Sequence, residues 1–173
     1  MTTVDAVLIR RAEARDLSTL GRLGASLVRD HHAFDPQRFL TPRPGLEAGY
    51  AHFLATQLEQ PDVAVFVAER AGAVVGYVYA GIEPRSWKEL RDVAGFIHDV
   101  VVDPAARGAS VGTRLIEAAS AWLVARGAPR VMLWTAAKNR EAQRLFERLG
   151  FRCTMIEMTR EAALSAGADF DVS

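Results

Sequence analysis

Apolar residues recur along the chain at two different spacings, and these spacings predict the order of helices and strands. A first helix is predicted over 16–29, with Asp16 as its N-cap, from an apolar face formed by Leu17, Leu20, Leu23, Leu27 and Val28. A similar stripe predicts a second helix over 45–60, and three prolines between the two helices predict a loop over 31–45. Further helices are predicted over 111–126 and 139–149.

Runs rich in valine, isoleucine and aromatic residues predict strands at 6–11, 63–69, 74–82, 93–103, 130–135 and 151–159. The turn around Ala71 and Gly72 joins the second and third of these strands into a β-hairpin. The run at 130–135 is interpreted as a buried strand, and Trp122 and Trp134 are expected in the core because their neighbours are apolar. The elements follow one another without a linker, so one domain is expected over 1–160, with a frayed tail over 161–173.

Composition narrows the possible functions. The 173 residues are 50% hydrophobic, which is enough for one sizeable core. Basic and acidic residues number 21 each, so no positive excess favours nucleic-acid binding. The single Cys153 cannot form an internal disulfide, and no cysteine–histidine spacing indicates a metal site. No apolar run is long enough to span a bilayer and no signal-type segment opens the chain, so a cytoplasmic protein without membrane contact is expected.

One strand-to-helix turn carries the clearest chemical signal. The apolar run Val100–Val102 stops at Asp103 and Pro104, and small residues around Arg107 then lead into the helix at 111–126. This layout aims backbone N–H groups and the positive end of a helix at one point, which favours a phosphate-type anion. The alternative is a structural turn that happens to use Gly108 and Gly112. The glycine spacing of a dinucleotide-binding turn and the Gly-Lys-Ser/Thr of a P-loop are both missing.

Two separated motifs resemble the GNAT superfamily of N-acetyltransferases. The first is Val102-Asp103-Pro104 followed by Arg107-Gly108-Ala109-Ser110-Val111-Gly112, which looks like the acyl-CoA signature of that family. The second is the block at 139–151, which is similar to the family pattern Asn-x-x-Ala-x-x-Leu-Tyr-x-x-x-Gly-Phe. The resemblance covers about residues 6–160. It implies an α/β (α+β) fold with a mixed, mostly antiparallel central sheet and helices on both faces.

The resemblance also implies a site for acetyl-CoA as the acetyl donor. Val100, Val101 and Val102 would offer backbone groups to the pantetheine arm, in the manner of an added strand. Arg107 would hold the pyrophosphate together with the backbone N–H groups of Gly108, Ala109, Ser110, Val111, Gly112 and Thr113. Asn139 would contact the cofactor arm, and Phe146 would lie near the thioester.

Two positions depart from the family pattern. Ser110 stands where the family has the first glycine of its turn, and binding is expected to persist provided that this position needs an ordinary φ. Phe146 stands where many members have a tyrosine that can protonate the departing thiolate. Because a thiol pKa of about 8.5 makes the thiolate a tolerable leaving group, the loss of that acid need not abolish the chemistry.

Transfer to an amine requires a group that takes the amine proton, and Asp99 and His98 are the candidates. Strand alternation predicts that His98 faces the same side as Val100 and Val102, and that Asp99 faces the other side. The alternative is that Asp99 pairs with an arginine and that His98 satisfies a hydrogen bond in the core. Glu83, at the end of the preceding strand, is a third and weaker candidate near the acceptor.

The acceptor site is the least determined part of the sequence. His31, His32 and Phe34 fall in the helix–loop–helix region that often lines the acceptor pocket in the family, or in a solvated loop anchored by Phe34. The resemblance implies N-acetyl transfer to a primary amine of a small molecule or peptide, and a homodimer is possible. Two other functions stay open at this point: a catalytically idle acyl-CoA-binding module, and a protein-interaction domain with a purely structural glycine turn.

Overall fold

The computed structural model describes residues 6–108 and 110–162. The strands in these residues are β1 Leu8–Arg11, β2 Val63–Arg70, β3 Ala73–Glu83, β4 Ala94–Val102 and β5 Val131–Leu133. The helices are α1 Leu17–Phe34, α2 Leu46–Leu58, α3 Val111–Ala125 and α4 Arg140–Arg148, with short 3₁₀ turns at Ala14–Asp16 and Pro104–Ala106. Among the described residues, no helix is long and apolar enough to cross a membrane.

The sheet has the strand order β1-β2-β3-β4-β5. The first four strands run antiparallel to their neighbours, and only β4 and β5 pair in parallel. Ala71 and Gly72, at the tip of the β2–β3 hairpin, have φ values of 50° and 78°. Positive φ at both central residues is the geometry of a tight turn that matches strand twist, so the predicted hairpin is confirmed.

Apolar clusters cover both faces of the sheet, which confirms the predicted fold class. On one face, α3 packs its buried side chains against the strands through Val111, Leu115, Ile116, Ala119 and Leu123. On the other face, α1 and α2 pack Leu20, Leu23 and Leu54 against Val65, Val67, Tyr77 and Val101. These two faces are called here the α3 face and the α1–α2 face.

A β-bulge in β4 changes which side chains share a face. Tyr79 of β3 pairs with Asp99, whereas the next residue, Ala80, pairs with Ile97, so His98 is an extra residue in β4. A bulge of this kind interrupts the alternation of side chains along a strand. Ile97 consequently packs in the α3-face cluster, and His98 stacks on the ring of Tyr79.

The predicted faces of this strand are therefore wrong at the bulge. Ile97 shares the α3 face with Val100 and Val102, not the face of Asp99. His98 and Asp99, expected on opposite faces, both project to the α1–α2 face, because Tyr79 belongs to that side. Regular alternation fails here because one residue has no partner in β3.

The strand predicted at 130–135 is shorter and less buried than expected. β5 contains only three residues, each half-buried, and pairs with β4 alone within the described residues. Trp134 follows the end of β5 and its side chain is 71% exposed, so the expectation of a core tryptophan is wrong for this residue. Trp122 is half-buried against the α3-face cluster, with the guanidinium groups of Arg11 and Arg126 over its ring.

The strand predicted at 151–159 is not formed. Residues 151–162 have no strand pairing in the structure, and Met155, Ile156 and Met158 are at least 73% exposed. An apolar run becomes a strand only where a partner edge receives its backbone hydrogen bonds, and β5 offers just three residues. The segment instead makes an ion pair between Glu157 and Arg38 in the loop after α1. Residues 163–173, most of the predicted tail, lie outside the described range.

The first helix is longer than its apolar stripe predicted. α1 continues to Phe34, so His31, His32 and Phe34 lie on its last turns rather than in a loop. The helix ends at Asp35, whose φ of −155° and ψ of 97° are extended, because a residue before proline disfavours helical geometry.

Asp16 occupies the N-cap position of α1, but its side chain does not cap that helix. Its carboxylate accepts hydrogen bonds from the Arg10 guanidinium at 2.7 and 3.0 Å and from the Glu13 backbone N–H at 2.8 Å. The Arg10 guanidinium is the main cause of a lowered Asp16 pKa. This buried ion pair joins the start of α1 to β1.

Two helical glycines provide a matched test of how closely α1 approaches α2. A Cβ added to Gly24 would lie 2.1 Å from the Tyr50 ring, whereas nothing lies within 4 Å of a Cβ added to Gly49. Gly24→Ala is expected to lower the free energy of unfolding by about 1–3 kcal/mol through overpacking. Gly49→Ala is expected to raise it by about 0.5–1 kcal/mol through helix propensity. Urea unfolding monitored by circular dichroism measures both, and equal effects would contradict close packing at Gly24.

Candidate active site

A cavity of about 270 Å³ opens between α1, the middle of β4, the end of β5 and α4. Most of its walls are apolar: Leu27, Val28, Phe39, Leu40, Tyr50, Ile97, Val100, Leu133, Trp134, Ala142 and Phe146. Its polar groups are few: His31, His98, Asp99, Thr135 and Asn139. An apolar cavity with a few convergent polar groups is the usual form of a small-molecule site.

The cavity continues into a gap between β4 and β5. The two strands pair only from Gly95 with Val131 to Ile97 with Leu133, whereas β4 runs on to Val102. Beyond Ile97, the edge of β4 that faces β5 has no strand partner among the described residues. An extended ligand arm can add to such an edge through backbone hydrogen bonds.

Asp99 is held at the inner end of the cavity by two phenols. The Tyr50 hydroxyl donates to Asp99 Oδ2 at 2.6 Å, and the Tyr77 hydroxyl donates to the same oxygen at 3.0 Å. Burial raises the pKa of Asp99, while the two phenol hydrogen bonds act to lower it by favouring the carboxylate. The partners of Asp99 are thus tyrosines and not the arginine that was the alternative from sequence. Among the described residues, no protein donor is bonded to Oδ1.

The tyrosines remain protonated donors. Burial, reinforced by the Asp99 charge, raises the pKa of Tyr50 and of Tyr77 well above the ordinary value. Tyr79 lies two residues further along β3, on the same face as Tyr77. Its hydroxyl donates to Gln57 Oε1 at 2.9 Å, and burial raises its pKa to about 12. The sequence did not single out these residues; the spacing of Tyr77 and Tyr79 on β3 is the signal that could have suggested them.

His98 lies beside Asp99 and is fixed by stacking. Its ring lies between Tyr79 and Phe96, with centroid distances of 4.7 and 5.0 Å. Its Nε2 is 3.0 Å from Glu83 Oε1. Burial lowers the pKa of His98, although the Glu83 and Asp99 charges oppose that effect. His98 is therefore mainly neutral near neutral pH and can accept a proton.

The acceptor-side candidates occupy different places. His31 lines the cavity, and its Nδ1 is 2.9 Å from the Leu27 carbonyl oxygen. Phe34 contacts the His31 ring edge-on at 6.0 Å and does not line the cavity. His32 also lies outside the lining, and its buried Nδ1 has no hydrogen-bond partner in the part of the chain that is described. Glu83 reaches the site only through its contact with His98.

The predicted anion turn precedes α3. Gly108 has a φ of 84°, and Ser110, at the N-cap position, has a φ of 55° and makes no side-chain cap. Binding with serine at this position was expected to persist only if φ is ordinary. The backbone at Ser110 is instead left-handed, so this condition is not met. Ala109 lies outside the described residues.

The first turn of α3 leaves backbone donors available. The N–H groups of Val111, Gly112 and Thr113 precede the first intrahelical hydrogen bond, which runs from Arg114 N–H to the Ser110 carbonyl. Arg107 is exposed just before this turn. A Cβ at Gly112 would lie 3.4 Å from the end of the Leu145 side chain, which is an ordinary van der Waals contact.

Three residues of the second motif line the cavity from α4 and its N-cap: Asn139, Ala142 and Phe146. Asn139 is the N-cap of this helix, and its Oδ1 accepts a hydrogen bond from the Ala142 backbone N–H at 3.1 Å. Its side-chain carbonyl is therefore used by the fold, which leaves its amide N–H groups as donors. Phe146 presents an apolar ring to the cavity and contacts Phe151 edge-on at 6.0 Å.

The family assignment follows from comparison with known sequences. The sequence model described as "Acetyltransferase (GNAT) family" matches residues 26–151, which is more than half of the chain. The chain therefore belongs to the GNAT acetyltransferase family, and the resemblance drawn from the two motifs is confirmed.

Two individual relatives match over about half of the chain. The chain is 37% identical over 94 residues to an uncharacterized N-acetyltransferase of Methanocaldococcus jannaschii, a match that covers 54% of this chain and 41% of that protein. It is 38% identical over 87 residues to the mycothiol acetyltransferase of Thermomonospora curvata, covering 50% of this chain and 27% of that protein. The chain thus spans less than half the length of either relative.

The fold also matches solved structures. An aminoglycoside N-acetyltransferase in complex with CoA superposes with a TM-score of 0.73 at 18% identity, covering 94% of this chain and 98% of that one. At this level of identity, the likeness concerns the fold.

Removal of one phenol tests how Asp99 is held. Tyr50→Phe is expected to raise the Asp99 pKa further, because the lost hydrogen bond favours the ionised form. It is also expected to lower the free energy of unfolding by about 1.5–3 kcal/mol, the range for a hydrogen bond to a charged group. Carboxyl-carbon NMR across a pH titration measures the pKa. Tyr79→Phe is the control, because its hydroxyl bonds Gln57, and a similar Asp99 shift in both variants would contradict this assignment.

The left-handed backbone at Ser110 gives a second test. Ser110→Gly is expected to raise the free energy of unfolding by up to about 1 kcal/mol, because a left-handed conformation costs an L-residue about 1–2 kcal/mol and the backbone entropy of glycine offsets part of this gain. Ser110→Ala retains the unfavourable φ and should show no gain. Thermal unfolding compares the two, and equal stability would mean that φ at this position is not decisive.

Proposed function

We propose that this chain transfers the acetyl group of acetyl-CoA to a primary amine of a small molecule or peptide. The observation that carries the proposal is the position of Asp99 and His98, which lie side by side in the cavity where the open edge of β4 begins. A proton-accepting pair is thus next to a groove that can receive an extended thioester arm. Family membership supports the same chemistry.

The residues around the gap suit acetyl-CoA. The backbone of Val100, Val101 and Val102 lies along the open edge of β4, where the pantetheine arm would bind. The pyrophosphate would meet the positive end of α3, with Arg107 and the N–H groups of Gly108, Ser110, Val111, Gly112 and Thr113, and with that of Ala109 as the sequence predicts. Ser110 adopts a left-handed φ although it is not glycine, so serine is compatible with this turn at an energetic cost. The Asn139 amide would contact the arm, and Phe146 would pack near the thioester.

The reaction supported by this arrangement is direct transfer. Bound acetyl-CoA supplies an activated acetyl thioester. The amine nitrogen would form a bond to the acetyl carbon, the carbon–sulfur bond would break, and CoA would leave as a thiolate. The second proton on the nitrogen would pass to the thiolate or to solvent, which leaves a neutral amide and free CoA. Because a free alkyl amine has a pKa of about 10, it arrives mostly protonated and must lose a proton to react.

The chain's own groups handle this proton. The Asp99 carboxylate attracts the ammonium group, and neutral His98 accepts a proton directly or through water. Glu83 contacts the His98 ring and orients it. Phe146 cannot donate a proton to sulfur, which is acceptable because a thiol pKa of about 8.5 makes the thiolate a tolerable leaving group.

The acceptor enters beside the end of α1. His31 forms part of the wall there, and Phe34 contacts its ring from the same turns of α1, to which His32 also belongs. A cytoplasmic location and a homodimer stay predictions from the sequence.

Asp99→Asn separates turnover from donor binding. The variant is expected to lower kcat by about 100-fold or more, the range for general acid–base catalysis, because the amine loses the carboxylate that draws its ammonium group towards His98, while the Kd for acetyl-CoA stays within a few-fold. Thiol release across a panel of amines measures kcat, and calorimetry measures Kd. Asp92→Asn is the control, because this carboxylate is exposed and pairs with Arg85. Equal loss of turnover and binding would instead make Asp99 a structural carboxylate.

Thiol release and calorimetry also distinguish the proposed enzyme from the two other functions that the sequence left open. An acyl-CoA-binding module would give heat and a thermal shift with acetyl-CoA but no thiol release with any amine. A protein-interaction domain would give no heat and no thermal shift, which would overturn the proposed enzyme.

A further inference from the structure

We infer that the acceptor is a primary monoamine with an apolar, preferably aromatic, body rather than a polyamine or an aminoglycoside. This inference rests on the proposed function and concerns one part of the same cavity. That part is called the acceptor side and consists of Leu27, His31, Phe39, Leu40 and Trp134, which line the cavity together with Asp99.

The acceptor side is distinct from the part that suits the donor. Val100, Asn139 and Phe146 lie toward the open edge of β4 and the start of α4. The acceptor side is instead built by α1 and the loop after it, together with Trp134 directly after β5. The amine nitrogen would sit where the two parts meet, at Asp99.

Apolar side chains dominate the acceptor side, and two of them are strongly exposed. Leu40 is 73% exposed and Trp134 is 71% exposed, although both line a cavity. Exposed apolar surface at a concave site is stabilised when a ligand covers it with apolar groups of its own. A polyhydroxylated or polycationic acceptor would lose water contacts there without gaining polar partners.

The charges at the site suit one ammonium group. Asp99 is the only carboxylate that lines the cavity in the described part of the chain. Glu83 is engaged by His98, and Glu157 is engaged by Arg38 beside the acceptor side. A second cationic group on the acceptor would therefore find no free carboxylate among the described residues that line the cavity.

The wall on the acceptor side is held in place by aromatic contacts. The His31 ring, bonded to the Leu27 carbonyl, meets Phe39 edge-on at a centroid distance of 4.9 Å. The Arg38 guanidinium lies over the Phe39 ring at 5.1 Å. A fixed ring favours edge or offset contact with another ring, which is why an aromatic body is expected to be preferred.

Matched amines test the inference on the full chain with saturating acetyl-CoA. Hexylamine and hexamethylenediamine have the same carbon chain, and only the diamine carries a second cation. We expect kcat/KM, measured by thiol release, to be at least about tenfold higher for hexylamine, since a factor of ten needs only 1.4 kcal/mol. Phenethylamine is expected to match or exceed hexylamine, whereas spermidine and kanamycin are expected to be the poorest acceptors.

Two leucine variants locate the selectivity. Leu40→Glu places a carboxylate on the acceptor side and is expected to raise kcat/KM for hexamethylenediamine relative to hexylamine by about tenfold. Leu90→Glu is the control, because Leu90 is 89% exposed and does not line the cavity. It should leave the ratio unchanged.

The outcomes distinguish this inference from the function on which it rests. A preference for the diamine, spermidine or kanamycin would overturn the monoamine inference and leave N-acetyl transfer intact. If Leu40→Glu and Leu90→Glu change the ratio of kcat/KM for hexamethylenediamine to kcat/KM for hexylamine equally, the acceptor side is not the origin of the selectivity. No thiol release with any amine, despite binding of acetyl-CoA, would overturn both the proposed function and the inference.

Discussion

The hydrogen bonds from Tyr50 and Tyr77 to the Asp99 carboxylate connect three elements at one buried point. Tyr50 belongs to α2, Tyr77 to β3, and Asp99 to β4, so this contact ties the helical layer to the middle of the sheet. A buried carboxylate is costly unless donors compensate it, and here the two phenol hydrogen bonds offset part of that cost, although burial still raises the pKa of Asp99. The close approach of α1 to α2 at Gly24 sets the position of the Tyr50 ring, and through it the orientation of the charge. The packing of the α1–α2 face and the chemistry of the site therefore depend on the same group.

The irregular pairing of β4 places a histidine beside Asp99 and leaves a neighbouring strand edge open. The bulge brings His98 to the side of Asp99, so a neutral imidazole and a buried carboxylate face one cavity. The early end of β5 opens the neighbouring edge of β4, where a donor arm can bind. Both features are losses of regular sheet structure, and such irregularities are common beside active sites. The proposed donor and acceptor parts of the cavity meet at this irregular stretch.

Much of the framework could be predicted from local pattern. The hairpin of β2 and β3, the turn before α3 and the block around α4 all lie where residue spacing and turn chemistry predicted them. The predictions that failed concern partners distant in sequence. The segment at 151–159 has the composition of a strand but no edge to pair with, and Trp134 is exposed because β5 ends before it. The partners of Asp99 were missed because Tyr50 lies 49 residues away in sequence.

The sequence by itself determined the β2–β3 hairpin, the position of the turn before α3, the block around α4 and the family, because each of these depends on residues close together in the chain. It also identified Asp99 and His98 as candidates from their chemistry. Only the tertiary structure decided that both side chains face the same cavity and that tyrosines hold the carboxylate. It also decided that the turn at Ser110 adopts a left-handed φ. The physical reason is that strand register, bulges and backbone strain are set by the pairing of distant segments, which periodicity within one segment does not encode.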